Sequence, residues 1–388
     1  MSPAFSIYLD LMRFLAACLV VIYHSNSRLI VEAPLPLAHY GHSAVIVFFV
    51  LSGFVIAYAT DTKERSAKSY WASRLSRVLS LAVPVVLLTP LLDMVGEALA
   101  PALYAGNTTH GLAGLRIASS LLFLNEIWSV SIMSFSNVAY WSLNYEVWYY
   151  ALFALHTFTD RRRRWWWIAL VALLLGPKIV LLAPIWLLGV LIYRWQLPRQ
   201  MPEWLGWLCV TGSVALFVAF DLSHLEDTVT EQLKLLIGAH WHRELAFSRW
   251  FLTDYLLAGI VFLNFIGMQR VVFRVAGLAL WVARPVRAAA AFTFSIYILH
   301  QPLIYFFAAL IDLPPTGYLR YAAVMACVLA TIIVVGSLTE RRRFALRRCL
   351  LALFDWIECS RLWPWRVRPI AFAGTITRIS IGTDGRGP

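Results

Sequence analysis

Long apolar runs separated by short polar intervals make up most of the chain, at residues 8–24, 45–59, 78–95, 140–158, 165–176, 179–193, 205–220, 251–267, 288–311 and 318–338. Backbone groups cannot stay unpaired in hydrocarbon, so such runs must be helices or barrel strands. Runs of roughly 17–22 apolar residues match a bilayer as helices, whereas barrel strands would be about 10 residues long and alternating. The pattern therefore predicts an all-α integral membrane protein, a bundle of about ten transmembrane helices. Residues 165–193 also read as one long helix kinked at Gly176-Pro177. An eleventh apolar stretch, 115–128, is assigned to a re-entrant or interfacial segment.

Composition supports this reading. Hydrophobic residues make up 60% of the 388 and charged residues only 14%, against about 25% charged in soluble domains. Too few polar groups exist to cover a water-facing surface. Five cysteines, odd in number and scattered, form neither a disulfide framework nor a zinc pattern. The net charge of +12 would suit nucleic acid, but its distribution follows the membrane instead. With ten spans, one side collects 25 of the 33 Lys+Arg, including Arg161–Arg164 and the C-terminal tail. The positive-inside rule then places both termini in the cytoplasm. A span at 115–128 would put the Arg161 cluster outside, which is why that stretch is not counted. The first helix lacks a basic leader and a cleavage site, so no removable signal peptide is expected. Residues 1–340 are expected to form the transmembrane domain and 341–388 a basic cytoplasmic tail that anchors to anionic lipid.

Charges inside spanning helices are costly and mark candidate sites. Asp10, Arg13 and His24 are the polar exceptions of the first run. Eleven residues separate Arg13 from His24, which puts them about 20° apart around the helix and roughly 16 Å apart along it. Asp10, three residues earlier, can pair with Arg13. Glu146, in Trp141-Ser142-Leu143-Asn144-Tyr145-Glu146, is too deep to be a solvated loop carboxylate and needs a partner, which the predicted depth makes His24. Arg74 and Arg77 lie three apart at the cytoplasmic start of the third run, an arrangement that suits a polyanion such as pyrophosphate, although positive-inside anchoring accounts for arginines there equally well. Ser52-Gly53 in the second run permits close helix approach. Ser295, Tyr297 and His300 fall within the ninth. No Walker A, Rossmann glycine pattern, G-x-S-x-G or H-E-x-x-H is present.

These segments, in this order, resemble the membrane acyltransferase-3 family of bacterial O-acyltransferases. The matching pieces are Asp10-Leu11-Met12-Arg13 with His24, residues 48–54, Arg74-Leu75-Ser76-Arg77, Trp141-Ser142-Leu143 with Glu146, residues 295–300, and Thr339-Glu340. The sequence departs from the family in Leu11-Met12 before Arg13 and in Arg341 where Lys-Pro often follows the glutamate. The resemblance implies a ten-helix enzyme of the cell inner (cytoplasmic) membrane. It would move an acyl group, usually acetyl, from cytoplasmic acyl-CoA to a hydroxyl of a carbohydrate or glycolipid acceptor, as in polysaccharide O-acetylation. Acyl-CoA would be a co-substrate; no permanently bound cofactor, metal or nucleic-acid partner is expected. His24, Arg13 and Glu146 would be catalytic. His24 would serve as base or transient acyl carrier, Glu146 would orient it, and Arg13 or Tyr297 would stabilise the oxyanion. Arg74 and Arg77 would hold the donor's phosphates, with Asp10, Ser142, Trp141, Ser295, Tyr297 and His300 in support. The alternative is a transporter or flippase for a glycolipid or polysaccharide intermediate, since buried His, Arg and Glu also line proton pathways. Inverted repeats, a frequent transporter signature, are not evident.

Overall fold

The computed structural model describes residues 1–106, 111–195, 200–272 and 276–359. Among these residues there are helices and no strands. The helices that matter here are α1 (Pro3–Ser25), α2 (Gly41–Thr62), α3 (Ala67–Leu99), α4 (Ala113–Leu121), α5 (Tyr140–Phe158), α6 (Arg164–Leu175), α7 (Pro177–Arg194), α8 (Glu203–Leu222), α9 (Leu225–Ile237), α10 (Phe251–Val271), α11 (Ala276–Ala291), α12 (Thr293–Leu310) and α13 (Leu319–Cys359).

Every one of the ten apolar runs is helical, but eight helices among the described residues are long and apolar enough to cross a membrane. The two that fall short do so for different reasons. Helix α5 has 19 residues, yet carries Ser142, Asn144, Glu146 and six tyrosines or tryptophans in its first eleven. Helix α6 has 12 residues, about 18 Å of helix against a hydrocarbon core of about 30 Å. Helix α4, which overlaps the start of the 115–128 stretch, has only nine. At the other extreme α13 runs 41 residues without a break, so the last span and the start of the basic tail are one helix. Its far end is pinned by Lys68 in the first turn of α3, which pairs with Asp355 and lies 3.7 Å from Glu358. Residues 360–388 of the expected tail, and the side chain of Glu340, lie outside the described residues.

The outer surface is built for lipid. Only Gly206 and Ser213 of α8 are buried, while Trp204, Leu208, Val214 and Leu222 are exposed. Trp165 and Trp166 stand exposed beside Arg161–Arg164, the pairing of aromatic and basic residues expected at an interface. The chain is a multi-pass membrane protein.

Inside, one apolar core joins α1, α2, α3, α5, α7, α10 and α12. Small residues set its tightest crossing. A Cβ at Gly53 would collide with the Trp186 carbonyl oxygen, and one at Gly189 with that of Val50. Each glycine thus admits the partner backbone, and α2 and α7 pack along most of their length. A capping box starts α3. The Ser66 hydroxyl accepts from the Ser69 amide at 3.2 Å and the Ser69 hydroxyl accepts from the Ser66 amide at 3.4 Å. That start places Arg74 and Arg77 two to three turns into the helix, facing the core.

Candidate active site

Two cavities lie within the bundle. The first, of about 80 Å³, is lined by Arg13, Arg74, Arg77, Ser52, Glu146 and Tyr150 among apolar neighbours. The second, of about 310 Å³, is lined by His24, His42, Trp141, Phe247, Arg249 and Trp250, among others. Val45 and Tyr297 line both, so the two spaces share a wall. Helix α1 runs alongside both and contributes Arg13 to one and His24 to the other. The predicted common face is what lets it do so.

The first cavity is an arrangement of cations with their carboxylates. Arg13 Nη1 donates to Asp10 Oδ1 at 3.2 Å. Arg74 forms a buried ion pair with Glu64, the two side chains 8% and 7% exposed. Glu64 is a partner that sequence reasoning passed over, because it sits in what reads as an ordinary charged loop. Arg77 stacks over Phe294 at 5.9 Å and makes no ion pair among the described residues.

Glu146 differs from its expected placement. Its Oε1 accepts from Ser52 Oγ at 2.5 Å and from the Tyr150 hydroxyl at 2.6 Å, and it lines the arginine cavity rather than the histidine one. Six residues into α5 is about 9 Å along the axis. That depth brings it level with Arg13, one cavity away from His24. Ser52 also accepts from Trp186 Nε1 at 3.1 Å, so the Ser52-Gly53 pair serves both the helix crossing and the site.

The wall between the cavities is polar at one point. The hydroxyls of Ser142 and Tyr297 lie 2.6 Å apart, and Ser142 also donates to the Ala139 carbonyl at 3.3 Å. Pro302 fixes this region. Lacking an N–H, it leaves the Ile298 carbonyl without its helical donor, and Asn137 Nδ2 supplies one at 2.9 Å. Gln301 Oε1 accepts from the Ala139 amide at 3.1 Å. The start of α5 is thereby tied to α12. Ser295 faces neither cavity; it packs against Gly336 of α13.

In the second cavity His24 makes no hydrogen bond among the described residues, and its ring lies 5.1 Å from that of His300. His300 is fully buried. Its Nδ1–H donates to the Ile296 carbonyl at 3.0 Å, which leaves Nε2 as the lone-pair nitrogen, and that atom has no partner. Trp141 stacks on Phe247 at 4.5 Å. His42 Nε2 donates to the buried Asp254 Oδ1 at 2.9 Å. His42, Asp254 and Arg249 were not legible as site residues in the sequence, since all three fall at the ends of spans, where polar residues are ordinary.

The chain matches the family model described as an acyltransferase domain over residues 6–339. No curated protein and no solved structure matches it.

Proposed function

The chain belongs to the acyltransferase-3 family, a membrane acyltransferase, and from that premise we propose that it moves an acyl group, acetyl in the simplest case, from acyl-CoA to a hydroxyl of a carbohydrate or glycolipid acceptor in the inner membrane. The observation that carries the reading is the pair of cavities meeting at Tyr297, one lined by three arginines and the other holding His24.

The arginine cavity takes the donor. Arg77, unpaired, is the first partner for the CoA phosphates. Arg74 contributes its charge from its place beside Glu64. The thioester reaches along the bundle to the shared wall. There the acceptor hydroxyl gives its proton to His24 while its oxygen attacks the acyl carbon. The Tyr297 hydroxyl donates to the oxyanion, exchanging Ser142 for it. Collapse breaks the C–S bond, and the thiolate leaves and takes the proton from His24. Glu146, level with Arg13, holds the electrostatic balance of the donor cavity rather than orienting His24.

Donor and acceptor then enter from opposite sides, and the acyl group crosses while CoA does not. The test uses sealed inverted vesicles with radiolabelled acetyl-CoA outside and glycan trapped in the lumen. Covalently labelled luminal glycan is the expected result. Labelling that requires both substrates on one face defeats the through-bundle route, and moved but unlabelled glycan would make the protein a flippase.

A further inference from the structure

The second cavity holds more than the transfer reaction needs. Beyond His24 it contains a cation, Arg249, that makes no ion pair among the described residues. The segment that carries Arg249 is held firmly: Ser248 Oγ donates to the Lys178 carbonyl at 2.7 Å and lies 3.1 Å from the Tyr145 hydroxyl. Ala246, two residues earlier and itself lining the cavity, adopts φ 47°, a left-handed conformation uncommon for a residue with a Cβ. This backbone presents Arg249 to the cavity with its guanidinium carbon over Trp250, 3.9 Å from the ring centroid.

No carboxylate is in direct contact with that guanidinium among the described residues. Among the described residues Arg249 makes no ion pair, and no residue lining the cavity is acidic. The nearby carboxylate, Asp254, is 3% exposed and committed to His42. Glu226 on α9 acts on Arg249 only through its field, as does the Tyr23 hydroxyl, and desolvation, the larger influence, pushes the Arg249 pKa down. An arginine remains charged through such a shift, so the cavity carries a partly desolvated cation next to aromatic faces. The contrast with the first cavity is direct, since Arg13 and Arg74 there each have a carboxylate.

We infer that this cavity is a subsite for an acidic carbohydrate, with Arg249 taking the carboxylate or phosphate of the sugar while its ring lies against Trp250 and the Trp141–Phe247 stack. The planar fork of an arginine matches either anion with two parallel hydrogen bonds. Stacking on Trp250 keeps the fork in one orientation without using its N–H groups. At about 310 Å³ the space falls at the lower end of the range of about 300–1,000 Å³ typical of small-molecule sites. The inference rests on the acyltransferase reading and narrows its acceptor to glycans that carry a negative charge near the hydroxyl to be acylated.

The experiment uses the full chain in nanodiscs of neutral phosphatidylcholine, with binding followed by saturation-transfer NMR. The probes are methyl glucuronide, glucose 1-phosphate and methyl glucoside. Both acidic sugars should bind at least about tenfold more tightly than the neutral one, the scale of one charge-assisted hydrogen bond. Arg249→Gln should erase that preference while leaving methyl glucoside binding unchanged, which reports that the fold is intact. Arg249→Lys should restore part of it. Equal binding of all three probes, or no binding of the acidic sugars, overturns the inference. So does loss of acidic-sugar binding when part of the phosphatidylcholine is replaced by phosphatidylglycerol, because the anion would then be a lipid headgroup. A failure of the acyltransferase reading looks different: acidic sugars would bind and no label would pass to them from acetyl-CoA.

Discussion

The two cavities share a wall beside one helix and solve opposite electrostatic problems. In the first, arginines are buried with carboxylates: Arg13 with Asp10, and Arg74 with Glu64. In the second the cationic and titratable groups stand on aromatic walls, and the one buried carboxylate nearby is committed to a histidine. A site that must hold a highly charged donor and release it gains from cations already partly neutralised, since bare arginines in a low dielectric would bind polyanions too tightly to let go. A site that must deprotonate an alcohol gains from a histidine kept clear of carboxylates. The chain of polar groups from Glu146 through Ser142 to Tyr297 separates the two environments within one bundle.

The largest effect should come from the second cavity. His24→Ala removes the one histidine of the second cavity that has both ring nitrogens without a partner among the described residues, and transfer should fall about 10²–10⁴-fold or more. Donor binding and the amount of protein in the membrane should not change. Steady-state transfer alongside CoA binding checks both, and wild-type turnover by the folded variant would remove His24 from the mechanism. In the first cavity the comparable deletion acts on the fold. Arg74→Ala strands Glu64 as a buried, unpaired charge, at about 3–5 kcal/mol of stability. Replacing both residues by leucine should recover the stability without recovering donor affinity. Thermal denaturation in detergent read beside CoA binding separates the two; recovery of affinity along with stability would make the pair purely structural.

How far the sequence foretold this depends on the kind of signal. Long-range apolar periodicity is redundant, so the helices stand where the runs are, and Arg13, His24 and Tyr297 are marked by the cost of placing them in hydrocarbon. Depth is harder to read. Glu146 appears to share a level with His24 only if α5 begins at the membrane face, whereas α5 starts from a buried loop tied down by Asp93, which accepts from the Ser136 amide at 2.9 Å and its hydroxyl at 2.6 Å. Partners supplied by loops, such as Glu64 to Arg74, have no periodicity to reveal them. His42 and Asp254 are 212 residues apart in sequence, and only the packing of α2 against α10 brings them together.

The boundary between the cavities can itself be weakened. Tyr297→Phe keeps the ring that both cavities touch and deletes the hydroxyl. If that hydroxyl donates to the oxyanion, the rate should fall about 10²–10³-fold, the range for one such donor, with KM for the donor unchanged. Ser142→Ala gives the control, since it removes the same hydrogen bond from the other side. That variant should lose less than about tenfold, as for an ordinary neutral hydrogen bond. Equal losses in the two variants would assign the pair to the architecture of the wall.

The smallest effect on stability should come from Arg77→Ala, and it discriminates most finely between donor recognition and topology. Arg77 has no carboxylate partner among the described residues, so its removal strands no buried charge. Stability should change by no more than about 1 kcal/mol, the scale of its contact with Phe294. If the guanidinium holds phosphate, CoA affinity should fall by about 1.5–3 kcal/mol, as for hydrogen bonds to charged groups. Pantetheine, the same arm without the phosphates, should bind both proteins alike. Salt sharpens the difference: raising ionic strength should weaken CoA binding to the wild type more than to the variant, because a bridge open to solvent is screened. Equal losses for CoA and pantetheine would return Arg77 to a positive-inside anchor and leave the first cavity's charge recognition to Arg13 and Arg74.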